Sequence, residues 1–210
     1  MSSNKLIVGL ILMLAASFAN AASSYEEMLD AVKQDKTEVV SALLKRGFDP
    51  NTSDREGNTL LMMAAKEGSN GAVRQLLAAQ AKLNARNEFG ETALMMAAVQ
   101  GHVDVTRSLL ERGAEVNRDG WTPLMYAATM GHTSVARLLI SYGAQTNAVA
   151  ENGITALMMA AREGHAAMVS LLLASGAAPN QKSDSGATAA SIAREKNHPD
   201  IAELLARGAK

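Results

Sequence analysis

Apolar positions in this chain recur as short blocks at a fixed beat, each opened by a threonine: TLLMMAA from Thr59, TALMMAA from Thr92, TPLMYAA from Thr122, TALMMAA from Thr155 and a divergent TAASIAR from Thr188. After most blocks comes a polar Gly-His turn and then a second apolar run at helical spacing, such as Val105, Leu109 and Leu110, or Val135, Leu138 and Leu139. The 3.6-residue periodicity of the second runs and the capping residue before the first ones predict pairs of short helices. A glycine two residues before each Thr (Gly57, Gly90, Gly120, Gly153, Gly186) and an asparagine that closes each unit (Asn51, Asn84, Asn117, Asn147, Asn180) keep the same beat.

The step is 33 residues except for one of 30. A fixed period of that length means stacked units and excludes a single central core. Each Thr hydroxyl is expected to accept from an orphan backbone N–H at a helix start, and the Gly before it suits a turn of positive φ. Leu61, Leu94, Leu124 and Leu157 are expected to point inward, with the Ala-Ala pairs small enough for neighbouring units to approach closely. Gly47, Gly113, Gly143, Gly176 and Gly208 are expected to stop the second helices in the left-handed conformation. Gln80 occupies that slot in the second unit, where a side chain is strained. The second unit is therefore expected to be the weakest of the central ones. The short step falls between Asn117 and Gly120, where Arg118 and Asp119 replace a five-residue spacer. It should clip one finger and leave a notch or bend beside Trp121.

These marks together resemble the ankyrin repeat, whose consensus runs Asp-x-x-Gly-x-Thr-Pro-Leu-His-x-Ala-Ala, then Gly-His, then a Leu-Leu helix ending in Gly-Ala and Asn. The resemblance covers roughly residues 25 to 210. It implies an all-α solenoid of about six helix pairs with short β-hairpin fingers. The units would be an N-terminal capping pair (22–53), repeats at 54–86, 87–117, 118–149 with the shortened finger, and 150–182, and a C-terminal capping repeat (183–210). The motif His is Met62, Met95, Met125 and Met158 here, so the hydrogen bonds that this His makes in ankyrin repeats are expected to be missing.

Residues 1–21 have another character. Lys5, the apolar stretch LIVGLILMLAASFA and the small residues Ala19 and Ala21 match a secretory signal peptide cut before Ala22 or Ser23. A retained anchor is the alternative, but about 14 apolar residues are fewer than the roughly 20 that span a bilayer. With no cysteine in the chain, disulfides, thiol chemistry and lipoprotein anchoring are excluded. Export to a bacterial periplasm is the expectation, with no membrane association after cleavage.

Removing Lys5 with the leader leaves 19 basic and 21 acidic side chains, a net charge near −2. No basic face follows, so nucleic acid is not an expected partner. Apolar residues make up 48% of the chain but aromatics only 3%, which suits a core of Ala, Leu and Met layers. All four histidines share one slot, His102, His132, His165 and His198. Stacked helices stand about 8–10 Å apart, too far for equivalent residues to share one metal whose ligands lie at about 2 Å. Neither a Ser-His-Asp arrangement nor a phosphate-binding loop is visible, so no catalysis and no cofactor are expected. Seven of the twelve methionines fill the two slots after the motif Leu, and they read as soft core filler without a metal site.

The resemblance then implies a surface made of the finger tips and the exposed face of the first helices. On it Phe89, Val99, Trp121, Met130 and Ile154 are apolar where the fold asks for nothing, and Tyr142 extends them along the rim. Glu91, Gln100, Thr129, Arg162 and Glu163 complete the candidate partner-binding set. The expected function is non-catalytic docking of an unidentified protein partner on the concave face. Two alternatives stay open: an accessory or protective factor for an oxidant-handling periplasmic enzyme, and a copper or small-ligand protein using Met sulfur.

Overall fold

The structure is a computed structural model that describes residues 23–208; the leader expected at 1–21 lies outside them. Among the described residues are twelve helices: α1 (23–33), α2 (Thr37–Lys45), α3 (Leu60–Glu67), α4 (Asn70–Ala78), α5 (Ala93–Gln100), α6 (Val103–Glu111), α7 (Pro123–Thr129), α8 (Thr133–Ser141), α9 (Ala156–Arg162), α10 (Ala166–Ala174), α11 (Ala189–Glu195) and α12 (Pro199–Gly208). They form six antiparallel pairs. Odd-numbered helices α3 to α11 pack in one layer, and even-numbered helices α2 to α12 in a second layer behind it.

Local chemistry starts each odd helix where the pattern predicts. Thr59, Thr92, Thr122 and Thr155 adopt extended backbone, and their hydroxyls accept from the N–H of Met62, Met95, Met125 and Met158 at 3.3–3.4 Å. In the first of these caps the Met62 sulfur accepts the Thr59 N–H at 3.5 Å. At this slot, where the motif His is replaced by Met, the thioether thus makes a local cap contact of its own. The Ala-Ala pairs from Ala64 to Ala161 are fully enclosed, and Leu61, Leu94, Leu124 and Leu157 lie within 2% of complete burial. One continuous core runs through all units, as stacking requires when no unit can bury its own apolar face.

Gly47, Gly113, Gly143 and Gly176 stop the even helices with φ between 85° and 93°. Gln80 takes the same conformation at φ 65°. Gly208 departs from expectation: it is still helical as the last described residue of α12, and no left-handed stop occurs there. Two further side-chain-bearing residues have positive φ, Asp35 and Asn197, in the terminal units at the slot that the central units give to the glycine of Gly-His. Asp35 repays the strain by function, since its carboxylate accepts from the N–H of Gly71 and Ala72 at 3.1 and 2.7 Å and so caps α4.

The fingers are turns, and β-structure among the described residues is limited to one isolated bridge, Ser53 to Thr59. The hairpin strands expected from the resemblance do not form because each finger is only one turn long. Four fingers close through paired backbone bonds, for example Asn87 N–H to Glu91 O at 3.1 Å and Gly90 N–H to Asn87 O at 2.9 Å. At Asn117–Trp121 no such pair is present among the described residues. The 30-residue step has removed that finger's turn, as expected.

Candidate docking surface

The units are joined by side chains that span the period. Asn51, Asn84, Asn117 and Asn147 each accept, through Oδ1, a backbone N–H of the following unit at 2.7–3.0 Å. Asn117 and Asn147 also donate to the carbonyls of Gly143 and Gly176. The histidines work at the opposite end of the helices. Nε2 of His102, His132 and His165 lies 2.9–3.0 Å from the carbonyl oxygens of Lys66, Val99 and Thr129. A carbonyl only accepts, so Nε2 carries the proton. Each ring thus ties down a free carbonyl at the C-terminus of the preceding unit's first helix.

Neighbouring fingers are also linked, by Glu88 N–H to Glu56 O at 3.1 Å and Asp184 N–H to Asn152 O at 3.2 Å. At the shortened finger a side chain takes this part: Arg118 Nη1 donates to the Gly90 carbonyl and lies 3.7 Å from the Met95 sulfur. The missing turn leaves a notch of about 440 Å³ walled by Phe89, Trp121 and Tyr126, with Arg118, Asp119, Glu151 and Asn152 around it. Trp121 and Tyr126 have ring centroids 5.3 Å apart, tilted at 43°, a favourable aromatic geometry. Burial pushes the Tyr126 phenol above its usual range; the charge of Glu91 adds to this and Arg118 opposes it.

The predicted surface residues divide into groups. Phe89 is 72% exposed and meets the 36% exposed Trp121 at the notch. Met130, 50% exposed, follows the other end of α7, about 12 Å away along the axis at 1.5 Å per residue. Phe89, Trp121 and Met130, the anchors expected of a docking face, therefore do not converge in one patch. Tyr142 is exposed at the end of α8. Gln100, Arg162 and Glu163 are exposed, and the last two pair with each other at 3.3 Å. Glu91, Val99 and Thr129 are half-buried, with the Val99 and Thr129 carbonyls held by histidines. Ile154 is half-buried and packs against the core, so it is less free than its place in a finger suggested.

Several surface residues escaped the sequence reading. Val149 is 47% exposed beside the shortened finger. Tyr126 occupies a Met slot, and its signal was the single departure from Met in the one unit that also carries Trp. Met63 and Met96 were expected in the core but line a groove of about 340 Å³ with Tyr25, Leu29 and Met62. Adjacent helix positions point about 100° apart, so Met62 and Met95 turn inward while Met63 and Met96 keep partial exposure toward this groove; Met159, in the third such pair, stays buried. Among the described residues no three His, Asp or Glu side chains are arranged to hold a metal, and no helix is long and apolar enough to cross a membrane.

The family model for ankyrin repeats in three copies matches residues 28–87, 61–150 and 142–210. The chain belongs to the ankyrin-repeat family, whose repeats are generally protein–protein interaction modules. A comparison with curated proteins finds no match.

Proposed function

We propose that this protein is an exported, non-catalytic docking module that binds a client protein along its finger edge and the exposed face of its odd-numbered helices. The observation that carries the reading is that Phe89 and the only tryptophan, both exposed, line one notch that the stacking of the units does not require. Aromatic anchors of this kind dominate interface energetics when a partner covers them. The linked fingers and bridged units supply a preformed surface, which lowers the ordering cost of binding. The leader-like composition of residues 1–21 supports export to a periplasm, where the client would be another exported protein, including an enzyme that handles oxidants.

A photo-crosslinking residue at position 121, expressed with the leader in the host, tests this. The expected result is one dominant exported protein that is lost when the probe moves to Glu111, an exposed residue of α6. The same smear from both positions overturns the reading.

A second reading has its own observation. Met62, Met63 and Met96 line one groove, and thioethers suit Cu(I). The same lining carries Lys33 and Lys66 but also Asp54, Glu56 and Glu67, and of the three methionines only Met63 and Met96 retain exposure. Stoichiometric Cu(I) retained after dialysis would favour the metal reading, and none retained removes it.

A further inference from the structure

We propose that the notch at the shortened finger receives an arginine side chain of the docked partner, stacked on Trp121 and paired with Asp119 or Glu151. This rests on the docking reading and specifies its chemistry. At about 440 Å³ the notch is near the lower end of small-ligand pockets. It has room for one long side chain and is too small for a helix some 10 Å across. Its walls are aromatic, and its acids, Asp119 and Glu151, are exposed and in no ion pair among the described residues. The one cation of the lining, Arg118, is turned to the Gly90 carbonyl and the Met95 sulfur and leaves those carboxylates unanswered.

An indole face beside a free carboxylate favours a cation over an apolar or acidic group. Guanidinium fits better than ammonium, because its plane stacks on the ring while its edge forks to a carboxylate. Lysine offers a compact, strongly hydrated charge that does either job less well. An acidic partner segment would meet like charge at the notch mouth.

Trp121 is the only tryptophan, so its fluorescence reports on the notch directly. The probes are acetyl-Gly-Gly-X-Gly-Gly-amide peptides with X as Arg, Lys, Leu or Glu, titrated into the full chain. The arginine peptide is expected to change the emission saturably at millimolar concentration, ahead of lysine, with no response to glutamate. The double variant Asp119→Asn and Glu151→Gln should weaken the arginine response about five-fold, with an unchanged thermal melt. A leucine peptide that binds as well as arginine, an arginine response unaffected by the double variant, or no response at all overturns the proposal.

A crosslinking probe at Gln100, exposed on the same face but away from the notch, separates the two readings. A client captured there without an arginine response removes the arginine site and leaves docking standing. An arginine response with no client captured at position 100 or 121 upholds the site chemistry and removes the docking reading.

Discussion

The guanidinium of Arg118 donates to the carbonyl oxygen of Gly90, making by side chain a link that backbone amides make between other fingers. The bond bridges the gap that the shortened finger opens and holds one lining residue of the notch in place. Hydrogen bonds of charged groups contribute about 1.5–3 kcal/mol, and partial exposure of Arg118 places this one at the lower end. Arg118→Met is expected to lower the urea midpoint and to speed amide hydrogen exchange around Glu91 and Thr92 more than in the terminal units. Uniform exchange changes along the whole chain would show that the link is not local.

The Gly-His contact between units gives a second prediction. A Cβ on Gly101 would lie 2.6 Å from the His132 ring at a backbone φ of 77°, whereas one on Gly113 meets nothing within 4 Å at φ 85°. Both alanine variants carry the left-handed strain of about 1–2 kcal/mol. Gly101→Ala should cost about 1 kcal/mol more, because it also displaces the His132 bond to Val99. Chemical denaturation of both variants measures the difference. In the Gly101→Ala and His132→Ala double variant that excess should largely disappear.

Gln80 is the inverse case. It holds φ 65° at the end of α4, where other units place glycine. Gln80→Gly should stabilise by about 0.5–1 kcal/mol, since relief of left-handed strain exceeds the entropy lost to glycine. A lower urea midpoint for the variant would show that the Gln80 side chain has a compensating role.

The first finger has an acid-sensitive carboxylate, Asp54. Burial raises the Asp54 pKa, but the Asn58 side chain and the backbone N–H groups of Asn58 and Glu56 outweigh it, so the net value is lowered. A carboxylate whose pKa is lower in the folded state stabilises fully above the unfolded value, near 4, and loses that contribution as pH falls through the folded value. Asp54→Asn keeps an oxygen for the same N–H groups, as Asn87 shows by accepting from Phe89 and Glu91. The variant is expected to flatten the acid limb of the stability profile below pH 4. An unchanged limb would assign acid sensitivity to other carboxylates.

Much of the fold was legible because its determinants are local. A Thr that caps, a Gly at positive φ and an Ala-Ala pair each act on backbone within a few residues, so their recurrence reads directly as helix pairs. The partners of the period were harder to read. Asn51 and Asn84 bond to Lys82 and Glu115, and the histidines reach back to Lys66, Val99 and Thr129; such pairs meet only once units stack. Two Met residues side by side gave no indication of which faced the groove. For the docking surface, the short step and Trp121 marked the place, while Tyr126 and the inward turn of Arg118 needed coordinates. Ile154 misled because its packing against the core depends on where the stacked helices place its finger.

The shortened finger removes three residues from the 33-residue step, yet α5 still packs on α7 and α6 on α8, as the other units do. Finger length is thus uncoupled from stacking. An in-frame insertion of three codons between Asn117 and Gly120 would close a recess the size of one side chain, and the matching deletion in a full-length finger would open one, without a core residue changing. In such a scaffold partner preference can be rewritten by a single length change, an inherited step that leaves the folding of the chain intact.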